Sequence, residues 1–316
     1  MKSSNKTVLI TGAGGFIGRH ITLLFAHHGW KIYALIHRNL PKEFEDFENI
    51  EIIRGDILNR NISDKITVKP EIVIHSAGLA SDIGMDEIYR KLNFEAVKVF
   101  AKLPFKKFIF ISSTDVYGIK DFNGENESEL PYETRPLNPY PKYKIESEKW
   151  IKANLENYVI IRPAAVWGKG DKTIERRVVN FLKISPVIVN FGKWRGKNRW
   201  PLADVRNVAK VVYTTAVLDE FDKEAINIID EKITTIDEYY RQVAREYFSE
   251  KIFRSITLPL WLGKIIGLSS TLLSNLLGRT TEIFDPTYYS VYHVASNLCF
   301  SCKRQNEVLR KYKELI

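Results

Sequence analysis

An α/β fold, built on a doubly wound, mostly parallel sheet with a smaller C-terminal lobe, is what this sequence of 316 residues predicts. Three observations carry that expectation. Short runs rich in Val and Ile recur at 8–11, 32–36, 50–53, 72–75, 108–112, 159–162 and 226–229, most with helix-like stretches between them. Those runs are apolar at successive positions instead of alternating, which is the signature of strands covered by helices on both faces. The first run leads directly into a cluster of glycines, where a strand must turn sharply into a helix.

Taken in order, the first unit reads TGAGGFIG, with Gly12, Gly15 and Gly18 after the first strand and Phe16 and Ile17 opening the helix. A phosphate approaches a helix amino terminus only where the turn is tight and free of side chains. The exposed N–H groups and the helix dipole then hold its charge. The spacing, G-x-x-G-x-x-G, is one residue off the Rossmann fingerprint of long-chain dehydrogenases. At the end of the second strand stand Ile36, His37 and Arg38, with no carboxylate to grip an adenosine 2′-hydroxyl. Arg38 is suited to a 2′-phosphate, which predicts NADP in preference to NAD. After the third strand come Gly55, Asp56 and Ile57. Asp56 is placed to accept the adenine amino group and Ile57 to stack on the ring. After the fourth come His75, Ser76, Ala77 and Gly78, whose small residues let a ribose and pyrophosphate lie close to the backbone.

The fifth strand ends in SSTDVYG, which puts Ser113 at the crevice edge, followed by Thr114 and Asp115. Tyr140 and Lys144 then lie four apart, so on a helix they share a face. Hydride transfer at a ketone needs a proton donor at the oxygen, and the reverse reaction needs a base. A free phenol has a pKa near 10, and bringing it toward neutrality takes roughly 4 kcal/mol of anion stabilisation. Lys144 and an oxidised nicotinamide are charges of the right sign, so Tyr140 is the candidate general acid and base and Ser113 the holder of the substrate oxygen. The pair Tyr247 and Lys251 has the same spacing but no comparable context, and is read as structural.

The beginning and the end of the chain carry less chemistry. Only Met1 to Lys6 precede the first apolar run, so no leader with a charged region, long apolar region and cleavage site can be fitted, and a cytoplasmic protein is expected. Cys299 and Cys302 are too few for a disulfide framework or a four-thiolate zinc site and are read as reduced thiols, with no metal expected. The dinucleotide-binding unit is expected over 1–163, completed by about 205–229, and the substrate lobe over 164–204 and 230–316. Net charge is +9, concentrated over 169–210, where Lys169, Lys172, Arg176, Arg177, Arg199 and Arg206 belong to a run with only three acids. A local anion site and a solvated basic surface both explain it, and no nucleic-acid motif accompanies the charge. Between Ile256 and Gly278 the apolar residues cluster at helical spacing. This favours a core or substrate-covering helix over a peripheral membrane face, and both over a membrane span.

The ordered series TGAGGFIG, HSAG, SSTDVYG, NPYPKYK, IRPAAVWGKGD and ADVRNVA resembles the extended short-chain dehydrogenases, including the NAD-dependent epimerase/dehydratase family, over roughly two thirds of the chain. The resemblance implies Ser113, Tyr140 and Lys144 as a catalytic trio, Asn93 as a supporting polar residue, and backbone from Pro163 to Val166 against the nicotinamide. It also suggests a homodimer. Trp167 stands where the family commonly has tyrosine. Two branches are similar. The nucleotide-sugar enzymes match through the basic segment 192–200, where Arg199 is the candidate pyrophosphate clamp, and a nucleotide sugar is the expected substrate. The 3β-hydroxysteroid dehydrogenase-like branch matches through Asn207, the Leu258-Pro-Leu start of the amphipathic helix and the closing CFSCKRQNEVL, and makes a hydrophobic alcohol the alternative. A paired acid and carboxylate, as a dehydratase needs, is not present after Ser113, where Thr114 and Asp115 stand. A non-catalytic cofactor-binding scaffold is the reading from another class, and the complete trio argues against it.

Overall fold

The computed structural model describes residues 6–59, 61–171, 173–232, 234–278 and 286–316; Met1–Asn5 and Lys172, named above, lie outside them. The chain begins with β1 (Thr7–Thr11), α1 (Phe16–His27), β2 (Lys31–Ile36), β3 (Ile50–Arg54) and β4 (Ile72–His75). The short helices α2 (Asp86–Tyr89) and α3 (Ala96–Phe100) flank a π-helical turn at Arg90–Glu95. Then come β5 (Lys107–Ile111), α4 (Pro139–Asn154), β6 (Tyr158–Pro163), β7 (Ala165–Trp167), α5 (Ile174–Ile184), β8 (Val187–Phe191), β9 (Arg199–Trp200), β10 (Leu202–Asp204) and α6 (Val205–Val217). The chain closes with β11 (Ala225–Ile228), β12 (Thr234–Thr235), α7 (Ile236–Tyr247), β13 (Arg254–Leu258), α8 (Leu260–Leu276), α9 (Tyr288–Ala295) and α10 (Lys303–Leu315).

Seven of these strands form one sheet in the order β11-β6-β5-β4-β1-β2-β3, every neighbouring pair parallel. They are the seven apolar runs of the sequence. Each face has its own core. Val8, Ile10, Ile74, Ile109, Val159 and Ile161 pack toward α1, α6 and α10, whereas Leu9, Val73, Phe108, Phe110 and Ile160 pack toward α3 and α4. Runs without alternation are therefore explained by burial on both sides. The chain winds outward from β1 to β3 and then returns to β4, so the reversal falls between β1 and β4, where open α/β sheets place their ligands.

The later elements make three two-stranded pairings, β10 with β7, β12 with β9 and β13 with β8, and a separate core around Val178, Leu182, Ile188, Trp200, Tyr239 and Phe253. One boundary differs from expectation: α10, assigned with the substrate lobe, sends Val308 and Tyr312 into the main core beside α6. The apolar positions of this helix, spaced by four, match the groove of the sheet's outer layer. A second difference concerns α8, which is not a core helix: it buries Gly263, Gly267, Ser270 and Ser274 and turns its large apolar side chains outward.

Candidate active site

At the reversal point the loops after β1 and β4 are tied together. Ser76 Oγ donates to the Thr11 carbonyl at 2.7 Å, and the Ala77 N–H donates to Thr11 Oγ1 at 3.2 Å. Gly12 has φ +68°, and a Cβ there would come within 2.8 Å of the Ala77 backbone; one on Gly18 would lie 2.2 Å from the Gly12 carbonyl. The turn is thus drawn as tight as its backbone allows. Gly14, which the motif left unassigned, is required too, because its Cβ would meet the Asn39 carbonyl. Gly15 caps α1 without any side-chain hydrogen bond to the first N–H groups. A bare, uncapped helix amino terminus at the carboxyl edge of the sheet fits the pyrophosphate of a dinucleotide.

Tyr140 lies in the first turn of α4, where Asn138 Oδ1 accepts its backbone N–H at 3.0 Å and fixes the helix start. Its buried phenol faces the Ser113 hydroxyl, which works against the rise of its pKa. Ser113 is buried and its Oγ also accepts the Asp115 N–H at 3.2 Å, which anchors the turn after β5. One helical turn beyond Tyr140, the buried Lys144 ammonium donates to the Ile111 carbonyl at 2.6 Å and sits 5.9 Å from the centre of the Tyr140 ring. A Cβ on Gly78 would be 3.7 Å from Lys144 Nζ, so the loop after β4 runs beside the ammonium and joins the cofactor crevice to the trio.

The electrostatics differ from the sequence expectation in one respect. Burial, then the charge of Asp115, push the Tyr140 phenol above its ordinary pKa, with only the Ser113 hydroxyl opposing them. The Lys144 ammonium donates to the Ile111 carbonyl and is itself depressed to about 8 by burial, partly offset by Glu148. With these neighbours Tyr140 is a neutral acid. His75, at the end of β4, is held to about 3 by burial and then by Lys144, and stays neutral with Nδ1 on Thr11 Oγ1 at 3.0 Å. Behind α4 the buried Glu148 and Arg162 carboxylate–guanidinium pair is completed by Tyr132 and Tyr117, at 2.8 and 2.6 Å respectively. With its polar atoms satisfied, that pair fixes α4 against β6 and so fixes Tyr140.

The far side of the crevice comes from α9, which sequence reasoning missed. Tyr289 donates to Asp115 Oδ2 at 2.6 Å and His293 Nε2 lies 3.5 Å from Asp115 Oδ1. Burial works to raise the Asp115 carboxyl, but His293 and Tyr289 outweigh it and the net direction is down. His293 shows the reverse: burial pulls it down, the attraction of Asp115 and Asp82 prevails, and it is raised. Asp82 in turn takes Arg177 at 2.7 Å and Thr287 Oγ1 at 2.6 Å. The contacts span 95 to 205 residues, so no local motif announces them; the only trace is Tyr289 and His293 four apart on one helix face.

Other expected residues fall as follows. Thr114 is buried in the turn after Ser113, and Pro163 and Val166 lie at the carboxyl edge of β6 and in β7. Ile57 packs partly against the core, and Asp56 accepts the Leu58 N–H at 2.9 Å and pairs with His37 at 3.5 Å. Arg38 is exposed beyond β2. Asn93 spends its amide on the Leu79 backbone, at 2.7 and 2.8 Å, so its side chain holds the loop after Gly78. Arg199 turns its guanidinium to Cys299 Sγ at 3.1 Å, away from the Asp115 cluster. Tyr247 bonds Glu175 on the surface. The basic run does not converge: Arg177 goes to Asp82, Lys193 to Asp121 and Arg206 to Asp204.

Comparison with known proteins gives a match of residues 8–228 to the model of the NAD dependent epimerase/dehydratase family. Among characterised proteins, the chain is 28% identical over 251 residues to the decarboxylating sterol-4-alpha-carboxylate 3-dehydrogenase of Candida albicans, covering 73% of this chain and 67% of that one. It is 28% identical over 167 residues to a ceramide reductase of Caulobacter vibrioides, covering 52% and 47%. The chain spans about half the length of the bacterial relatives it matches. Among solved structures, MoeE5 in complex with UDP-glucuronic acid and NAD superposes with a TM-score of 0.67 over 96% of this chain and 92% of the other, at 21% identity, which shows a shared fold.

Proposed function

The chain belongs to the NAD dependent epimerase/dehydratase family, and from that premise we propose that it moves hydride between NAD(P) and a secondary alcohol or ketone through Ser113, Tyr140 and Lys144. The observation that carries the reading is the gathering of Ser113, at the turn after β5, and Tyr140 with the Lys144 ammonium, 5.9 Å from the Tyr140 ring and beside Gly78. Bound in the crevice, a nicotinamide dinucleotide supplies the hydride acceptor or donor. The residues do the rest. Gly12, Gly15 and Gly18 with the start of α1 hold the pyrophosphate, Ala77 and Gly78 admit the ribose, and Pro163 to Val166 wall the ring. Ser113 holds the substrate oxygen beside the phenol. In reduction Tyr140, kept neutral by burial, gives its proton to the developing alkoxide; in oxidation it takes one back, with Lys144 stabilising the phenolate.

For the substrate we favour an apolar, lipid-like alcohol or ketone over the nucleotide sugar expected first. The relatives named for a sterol and a ceramide support it, as does Arg199, whose guanidinium is committed to Cys299. A nucleotide sugar is the second reading, favoured by the fold shared with MoeE5, which is named with UDP-glucuronic acid. The end of β2, which carries Arg38 and no acid of its own, favours NADP within a family that uses NAD.

The test is an absorbance assay of the reduced nicotinamide with 3-keto sterols, long-chain ketones and UDP-linked sugars. Turnover on one of the apolar ketones is expected, with Tyr140→Phe lowering it about 10²- to 10⁴-fold while cofactor affinity is unchanged. Turnover indifferent to Tyr140→Phe would refute the chemistry, and turnover confined to UDP-sugars would reverse the choice of substrate.

A further inference from the structure

Helix α8 is amphipathic in the inverted sense. A surface helix ordinarily buries its large apolar residues and exposes small or polar ones. Here the packed side is Gly263, Gly267, Ser270 and Ser274, with so little room that a Cβ on Gly263 would reach 2.6 Å from the Phe191 ring and one on Gly267 would reach 2.7 Å from the Thr287 carbonyl. The outward side is Trp261, Ile265, Leu268, Leu272 and Leu276, between 47% and 83% exposed. They recur at i, i+4, i+7, i+11 and i+15, a continuous stripe along a helix about 25 Å long. Shortly before the helix, Ile256 of β13 and Ile252, which is 95% exposed, are further apolar residues open to solvent. Scattered apolar residues on a surface need no partner, but a contiguous face of this length marks a contact surface.

Charge selects the partner. Between residues 250 and 278 the charged side chains are Lys251, Arg254 and Lys264 against one carboxylate, Glu250, at the edge of the segment. In a two-fold dimer through this face the basic groups would outnumber the acids available to pair with them. A bilayer bearing anionic headgroups satisfies both the apolar stripe and its basic border. No helix among the described residues is long and apolar enough to cross a membrane, so the helix would lie in the interface plane. We propose that α8, with the end of β13, is a docking surface for the anionic face of a lipid bilayer.

The position of that surface gives it a further meaning, which rests on the reading of the substrate as lipid-like. Helix α8 packs on α9, and α9 carries Tyr289 and His293 to Asp115, two residues from Ser113. Docking would set the crevice wall against the membrane, so a hydrophobic alcohol could pass from the bilayer to Tyr140 without crossing water.

Flotation of the full chain with vesicles tests the docking without any assay of turnover. The chain is expected to float with vesicles containing phosphatidylglycerol, less with pure phosphatidylcholine, and less again in high salt. Leu268→Glu/Leu272→Glu should lower the bound fraction at least about tenfold with thermal stability and cofactor affinity unchanged. Failure of the wild-type chain to float with anionic vesicles overturns the proposal, as does equal flotation of the double variant. A wild-type dimer that the double variant splits, with no vesicle binding, would assign the face to a second copy instead. Flotation alongside absent turnover on apolar ketones would leave the docking standing and sink the substrate reading; turnover without flotation would do the opposite.

Discussion

The central sheet and the α8–α9 hairpin are built from the same kinds of residue and put them to opposite uses. In β4, β5 and β6 every residue is buried, because both faces of the sheet are covered by helices. In α8 the large apolar residues are exposed and the glycines and serines are inside. The contrast teaches that an apolar stripe tells where a helix seeks contact but not with what. The small residues opposite the stripe decide which face packs, since only they let the α9 backbone approach. A rigid sheet thus carries Ser113 and the seat of Tyr140 and Lys144, while a thinner, smaller-residue contact holds the wall that completes the crevice.

The sharpest way to break this comparison is to truncate one large apolar residue on each side of it. Phe110→Ala, in the middle of β5, should cost about 3–5 kcal/mol in denaturant unfolding, because the cavity lies between packed helices and strands. Leu272→Gln, an equally apolar position by sequence, should change stability by no more than about 0.5 kcal/mol. Similar losses at the two positions would mean that α8 is covered in the folded protein in solution.

Next in size is the small-residue contact itself. Gly267→Val places side-chain atoms against the Thr287 carbonyl, which is backbone and cannot step aside. An overpacking cost of about 1–3 kcal/mol is expected. It should be confined: hydrogen exchange should speed up in α8 and α9 while β1, β4 and β5 keep their protection. With Tyr289 and His293 displaced from Asp115, kcat/KM should fall more than cofactor affinity does. Exchange rising equally in the sheet would show that the hairpin and the sheet unfold as one unit.

These differences also mark what the sequence made legible. All seven sheet strands and the glycine turn could be read, because parallel strands covered on both sides and a tight phosphate turn leave local patterns. Ser113 and Tyr140 could each be singled out for the same reason, both being announced by a short motif at a strand or helix end. The partnership of Asp115 with Tyr289 and His293 was not legible, since it joins residues more than half the chain apart. Nor was the orientation of α8, whose periodicity is the same whether the stripe faces a core or a membrane. Spacing on a helix says that Lys144 is near Tyr140, but not that its ammonium also donates to the Ile111 carbonyl.

That engagement supplies the smallest effect and the finest test of the rigid half. Burial holds Lys144 at about 8 against an ordinary 10.5, so below about pH 8 folded and unfolded chains both carry the proton and the full cost of burying the charge is present. Between about pH 8 and 10.5 the unfolded chain still binds a proton that the folded chain has released, and stability from this group rises with pH. The shift is worth about 3 kcal/mol, from which a lost hydrogen bond to the Ile111 carbonyl subtracts about 1–2. Lys144→Met should therefore be inactive yet about 1–2 kcal/mol more stable than the wild type near pH 7, with the advantage gone or reversed near pH 10, as read from urea midpoints at the two pH values. A variant less stable than the wild type at neutral pH would show that the ammonium is a structural tie of the sheet edge, and that the rigid half bears no cost for keeping a charge where the chemistry needs one.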